Sequence, residues 1–153
     1  MGGFAVYPSL VGDLYMRYEE DVLLELKRIE KSTPVGVKTP FTNTVYTQLC
    51  EYFAGERTQF TVAIRAEGTV FQQKVWKALC DIAYGETKTY KDIAIAIGNP
   101  NACRAVGMAN HRNPIGIIIP CHRVVGSNGA LVGYAGGVDM KATLLSLEKN
   151  EKC

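Results

Sequence analysis

Histidine is scarce in this chain: among 153 residues only His111 and His122 carry an imidazole. No Cys-x2-Cys or His-x3-His pair occurs, so the spacings that hold a structural zinc are missing, and no metal or cofactor is expected. The cysteines, Cys50, Cys80, Cys103, Cys121 and Cys153, are odd in number and scattered, which fits reduced thiols rather than a disulfide framework. Apolar runs fall well short of the ~20 residues that cross a bilayer, so no membrane role is expected. Met1 to Val6 has no basic stretch ahead of an apolar core and no Ser or Thr at position 6, which argues against a signal peptide and against myristoylation. With the reduced thiols, this points to the cytoplasm. The formal charge of +2 is too small to mark a nucleic-acid binder by itself; any such surface must come from local clustering.

What is present is apolar material, 47% of the residues, enough for one core or two small ones. The first part reads as a small α+β unit. Phe4–Leu10 and Leu14–Tyr18 have extended character around a Gly12-Asp13 turn, and Val22–Ile29 alternates apolar with polar. Thr33–Pro40 reads as a loop. The pattern predicts a helix from about Thr42 to Ala54, stopped by Gly55, then a strand over Thr58–Ile64. Glu67-Gly68-Thr69 is the expected hinge between an N-terminal domain (1–67) and a C-terminal domain (68–153).

Beyond Val70 the pattern turns helical. Phe71, Val75, Trp76, Leu79 and Ile82 recur at helical spacing up to Tyr84-Gly85-Glu86. Thr89 with Asp92 has the form of a capping box for a short helix ending at Gly98. After Asn99-Pro100, with Asn101 as a second cap, a helix over Ala102–Asn110 completes a helix-turn-helix pattern, which an ordinary αα-corner would match equally well. Ala102, Cys103, Ala105, Gly107 and Ala109 make the second helix one of small residues, free to approach a neighbouring helix or a narrow groove such as the ~6 Å DNA minor groove. Arg104 in its first turn is opposed by the helix dipole, so an outside partner explains it better. Lys88, Lys91, His111 and Arg112 could meet phosphates or simply form a solvated face.

Ile115–Ile119 reads as a buried strand delivering Pro120-Cys121-His122-Arg123-Val124. A thiol in apolar surroundings is normally sluggish, because burial disfavours the thiolate, and a neighbouring imidazole is one way to overcome that. The glycine-rich stretch 126–137 does not match a phosphate loop. Ser127-Asn128-Gly129 is a hairpin turn, and the remaining glycines would let backbone line a flat ligand. Tyr134 could stack there or pack. A last helix from about Asp139 turns Leu144, Leu145 and Leu147 inward and brings Glu148 back toward an imidazole.

Together Phe71-Gln72-x-x-Val75-Trp76, Tyr84-Gly85-Glu86-Thr87, Thr89-Tyr90, Gly98-Asn99-Pro100, Ala102-x-Arg104-Ala105-Val106-Gly107, Asn113-Pro114, Pro-Cys-His-Arg-Val and Gly133-Tyr134-x-Gly136-Gly137 resemble the O6-alkylguanine-DNA alkyltransferases. The match is dense over about the last 85 residues and holds only in outline before them. The resemblance implies an N-terminal sheet and helix domain, ribonuclease-H-like in outline, joined to a mainly helical domain with a winged-helix-like helix-turn-helix. It implies Cys121 as alkyl acceptor, His122 as its base through a water, Glu148 orienting His122, and Tyr90 as proton donor to the leaving guanine that also presses on the adjacent phosphate.

Arg104 would fill the space left by a flipped nucleotide, with Asn99, Ala102, Ala105, Gly107 and Arg112 at the DNA. Asn113 would be the hinge between recognition helix and acceptor. The backbone at Cys121, Val124, Tyr134, Ala135 and Gly136 would read the base. The implied partner is double-stranded DNA carrying O6-alkylguanine, bound through its minor groove by a monomer; whether O4-alkylthymine also serves is left open. Ala135 lacks the hydroxyl some relatives place there, Cys103 replaces a common alanine as a second candidate thiol, and the zinc ligands of some relatives have no counterpart before His111. A non-catalytic lesion-binding relative, a helix-turn-helix regulator and a cysteine hydrolase are the alternatives. Cys121 opposes the first, because such relatives replace the acceptor. The glycine loop and cysteine signature oppose the second, and the third would require turnover.

Overall fold

The computed structural model describes residues 2–29, 36–129 and 137–149. Alternating apolar residues build a three-stranded antiparallel sheet, β1 (Gly2–Tyr7), β2 (Leu14–Glu19) and β3 (Val22–Arg28), in that order. Ala5, Leu14, Met16 and Leu26 are buried in the core, as the two-residue period requires, and a register shift between β2 and β3 at Arg17/Tyr18 breaks that period and brings Leu23 into the core as well. Helix α1 (Pro40–Phe53) starts two residues before the expected Thr42. Thr39 caps it by accepting from Thr42 N–H, and Pro40 costs nothing in the first turn, where its missing donor would be unpaired anyway. Tyr7 fastens α1 to the sheet: its hydroxyl donates to Asn43 Oδ1 at 2.6 Å and its ring stacks on Tyr46 at 4.2 Å.

Two expected strands are not strands. Thr58–Ile64 forms only an isolated parallel bridge, Leu23 to Ile64. In Ile115–Ile119, Ile115 bridges Leu26, after which the chain turns: Ile118 N–H bonds Gly116 C=O, Ile119 N–H bonds Ile115 C=O, and Ile117 takes φ 69. The free edge of β3 thus receives two short segments rather than two full partners. Pro114 has no N–H to extend a ladder, and the left-handed Ile117 ends it. In Ile115–Ile119 the apolarity that suggested a strand reports burial alone, whereas Thr58–Ile64 stays half-buried to exposed.

The helices continue with α2 (Val70–Cys80), α3 (Tyr90–Ala96), α4 (Cys103–His111) and α5 (Val138–Lys149). Helix α2 stops at Cys80 rather than running to Tyr84, although Ile82 beyond it stays buried. Its cap is Thr69, expected as a hinge, paired with Gln72 in a capping box. The Thr89–Asp92 box caps α3 as expected, whereas α4 starts after Ala102 with no side-chain cap rather than at Asn101. A small parallel pair, β4 (Lys88–Thr89) with β5 (Val124–Val125), ties the start of α3 to the segment after Cys121. One continuous apolar core runs from Leu14 and Leu49 through Trp76 and Val106 to Leu144.

Gly36 sits at φ 75, and a Cβ there would lie 2.2 Å from Phe4 carbonyl oxygen, against backbone that cannot move aside. Gly36→Ala is therefore expected to cost about 2 kcal/mol, lowering Tm by about 4–8 °C. Thermal unfolding followed by circular dichroism checks this, and an unchanged Tm would show that the close approach does not matter to stability.

Candidate active site

Cys121 begins a 3-10 turn, Cys121–Arg123, whose three side chains are all buried. The turn is held from several sides. Asn113 Nδ2 donates to Ile119 C=O at 2.8 Å while its Oδ1 accepts from Ile115 N–H, so the end of α4 is tied to the approach to Cys121. Asn110 Nδ2 donates to Cys121 C=O at 3.4 Å. Lys141 on α5, fully buried, donates to Val124 C=O. Burial pushes the Lys141 ammonium below its usual range, with the charge of Cys121 opposing.

His122 and Glu148 meet as expected: His122 Nε2 is 2.6 Å from Glu148 Oε2, with both side chains out of solvent. Two further partners were not foreseen. Arg123 donates from Nε to Oε1 at 2.8 Å and from Nη2 to Oε2 at 3.0 Å, and its Nη1 donates to Ile82 C=O. Tyr52 of α1 donates its hydroxyl to Oε2 at 2.6 Å. A buried arginine beside a reactive pair does imply a carboxylate partner, so Arg123 was legible in principle. Tyr52 was not, since nothing local links residues 96 positions apart.

The electrostatics follow from that geometry. Burial pushes the Glu148 carboxyl up, but hydrogen bonds from His122 and Arg123, then the charge of His122 and a bond from Tyr52, hold it at about 2. Burial pushes His122 below its usual range against the opposing pull of Glu148, so the ring is neutral. With Nε2–H donated to Glu148, Nδ1 carries the lone pair, and among the described residues it has no hydrogen-bond partner.

Tyr90, half-buried at the start of α3, lies against Gly107, where an added Cβ would sit 3.9 Å from its ring. Burial and the charge of Cys121 push its phenol upward. On α4, Arg104, Ala105 and Arg112 are exposed, as is Asn99 in the turn before it, while Ala102 and Gly107 are half-buried. Trp76 Nε1 donates to Ala109 C=O at 2.8 Å and fixes this helix from behind. A cavity of about 280 Å³ opens beside Cys121, lined among the described residues by Leu14, Arg28, Arg112, Asn113, Pro114 and Met140, among others. Val124 is buried; Tyr134, Ala135, Gly136 and Cys153 lie outside the described residues. Cys103 is half-buried. Among the described residues no cluster of ligands could hold a metal ion, and no helix is long and apolar enough to cross a membrane.

Residues 70–150 match the family model described as 6-O-methylguanine DNA methyltransferase, DNA binding domain. The chain is 55% identical over 130 residues to the methylated-DNA–protein-cysteine methyltransferase of Methanosarcina barkeri, covering 85% of this chain and 82% of that one. This chain belongs to that family. Among solved relatives, the Mycobacterium tuberculosis O6-methylguanine methyltransferase superposes with a TM-score of 0.88 at 43% identity, over 100% of this chain and 96% of that one. A Mycobacterium tuberculosis OGT structure in complex with DNA gives 0.86 at 46%, over 95% and 92%. The names of these relatives specify a cysteine, and the buried turn described above holds one, Cys121, next to a neutral imidazole.

The buried charge sets the pH dependence of this fold. Glu148 is depressed from 4.5 to about 2, so its contribution is complete above about 4.5 and lost as pH falls toward 2. His122 is lowered from 6.5, so its contribution is complete above 6.5 and fades on acidification below that. Tm is expected to fall below pH 6.5 and most steeply between 4.5 and 2. Glu148→Gln should remove the lower step and, by leaving Arg123 uncompensated, cost about 3 kcal/mol or more at pH 7. A variant curve running parallel to the parent's would clear Glu148 of the effect.

Proposed function

We propose that this chain is a DNA repair protein that moves the alkyl group of O6-alkylguanine in double-stranded DNA onto its own Cys121, once per molecule. The observation that carries this is the buried Cys121–Arg123 turn, with Glu148 of α5 bonded to His122, in a chain of this family. Burial keeps His122 neutral, and Glu148 takes its Nε2–H, so Nδ1 is unprotonated and takes the Cys121 proton through a bridging water. The thiolate, a soft nucleophile, attacks the saturated carbon of the adduct; the S–C bond forms as the C–O bond breaks, and its electron pair goes to the guanine. Tyr90 donates a proton to the departing base, and its raised pKa keeps the phenol protonated beforehand. The product is a thioether with no hydrolysable bond, hence no turnover.

Reaching Cys121 requires the base to leave the helix stack. Arg104, exposed in the first turn of α4, enters the stack from the minor groove and fills the gap. Ala102, Ala105 and Gly107 allow α4 that close approach, and Asn99 and Arg112 meet the backbone. Asn113 relays the recognition helix to the acceptor turn, while Val124 and the loop carrying Tyr134, Ala135 and Gly136 hold the base. Residues 1–67 form the N-terminal domain, ribonuclease-H-like in outline, and 68–153 a domain with a winged-helix-like helix-turn-helix. The protein acts as a monomer in the cytoplasm.

Incubation with a duplex containing O6-methylguanine, followed by intact mass, is expected to show one added methyl on the peptide holding Cys121, absent in Cys121→Ser. An unchanged mass at full DNA occupancy would leave a lesion-binding protein or a regulator instead. Arg104→Ala should repair duplex at least tenfold more slowly, a loss of about 1.4 kcal/mol, yet react near-normally with free O6-benzylguanine. Equal losses on both substrates would remove its role as a stack-filling residue.

A further inference from the structure

Tyr52 lies outside the stretch matched to the DNA-binding domain, on the helix packed with the N-terminal sheet, and is fully buried. Its ring sits among Phe53, Phe60 and Tyr84, with centroids 5.6, 5.6 and 6.2 Å away. A core tyrosine needs an acceptor for its hydroxyl, and a nearby carbonyl would ordinarily serve. This one instead bonds a carboxylate oxygen, and the same oxygen that His122 uses. Glu148 Oε1 accepts from Arg123 Nε at 2.8 Å and from Gly85 N–H at 3.3 Å. Oε2 accepts from Tyr52 at 2.6 Å, His122 at 2.6 Å and Arg123 Nη2 at 3.0 Å.

We infer that Tyr52 is a positioning residue for alkyl transfer: by sharing Glu148 Oε2 with His122, its phenol sets how strongly the carboxylate holds the imidazole and therefore how basic His122 is. The inference rests on the reading of His122 as the base. A short bond to an ionised oxygen draws off electron density that would otherwise favour the imidazolium. Tyr52 thus weakens the pull of Glu148 and keeps His122 neutral to lower pH. The other charged or titratable groups facing the pair are Arg123 beside it, Lys141 on α5 and Tyr84 across from Tyr52; Arg123 and Lys141 also disfavour a charged His122. Burial and the charge of Glu148 push the Tyr52 phenol far above its usual range, so it stays a donor throughout the working pH.

The test is the single-turnover rate on O6-methylguanine duplex against pH for the parent and Tyr52→Phe, with DNA affinity and Tm measured alongside. Tyr52→Phe is expected to bind DNA as tightly while the acid-side fall in rate moves up by ~0.5 pH unit or more, making repair about threefold slower at pH values below that limb. A rate lowered equally at every pH, or an unmoved acid limb, would overturn the inference and leave Tyr52 as packing. If Tyr52→Phe does not fold, 3-fluorotyrosine at position 52 decides. The same shape with a more acidic phenol should move the limb downward, and an unmoved limb would be equally fatal. His122→Asn separates the two readings. If it repairs at the parent rate, His122 is not the base, whatever Tyr52 does.

Discussion

A carboxylate removed from water must be compensated, and much of this structure is arranged around doing so for Glu148. Its two oxygens take two donors from Arg123, one from His122, one from Tyr52 and one from the Gly85 backbone. The division of labour among them matters. Were His122 the only partner, the buried anion would protonate it, and an imidazolium cannot accept a proton from a thiol. Arg123 supplies the compensating charge instead, since a guanidinium keeps its proton at any working pH. His122 is thereby left neutral with one nitrogen oriented and the other basic. Replacing Arg123 with a smaller cation would keep the charge and lose the fork that spans both oxygens.

That requirement accounts for how elements distant in sequence are fastened. Helix α5 brings Glu148 to the turn and pins Val124 through Lys141. At its other end Asp139 receives the Arg28 guanidinium at 3.2 Å from β3, though this exposed pair contributes little energy. Helix α1 brings Tyr52. The sheet supports the segment leading to Cys121 directly, because Leu26 bonds both Pro114 C=O and Gly116 N–H. Ile117 is the strained point of that segment. A β-branched residue at φ 69 costs of order 1–2 kcal/mol, and here it is fully packed, so neighbouring contacts offset the strain. The turn it makes lets Asn113 reach Ile119 and so couples α4 to Cys121.

What could be read from the sequence divides along the same line. Local rules worked where one side chain acts on nearby backbone. The Thr89–Asp92 box and the Gly98 stop were legible, and the extent of β2 and β3 was right to within a residue or two, because such signals lie within four residues of their target. Non-local readings fared unevenly. The His122–Glu148 pair came from resemblance and is met at 2.6 Å. Arg123, quoted only as part of a motif, turned out to be the main counter-charge. The strand pattern misled at 58–64, where alternating half-buried and exposed residues make only a single bridge, and at 115–119, where burial without pairing carries the same pattern as a strand. Tyr52 carried no signal, since a tyrosine at helical spacing reads as core, and here it is core at one end and a hydrogen-bond donor at the other.

Burial of Cys121 then has a physical reason rather than being an obstacle. The reaction proposed for Cys121 forms a thioether and so consumes the protein, and any thiolate lost to solvent oxidants or wrong electrophiles would be a molecule lost. Keeping the thiol only 3% exposed protects it, but burial alone would also suppress the thiolate. A neutral His122 resolves the conflict under the proposed mechanism: it holds no proton that would favour a standing thiolate, yet could accept one once an alkylated base filled the pocket and excluded water. On that mechanism the substrate itself would assemble the reactive state. This explains why the carboxylate must be so heavily hydrogen-bonded, because a more basic Glu148 would draw the proton to His122 in advance. Five donors on one carboxylate are a means of holding the thiol in reserve.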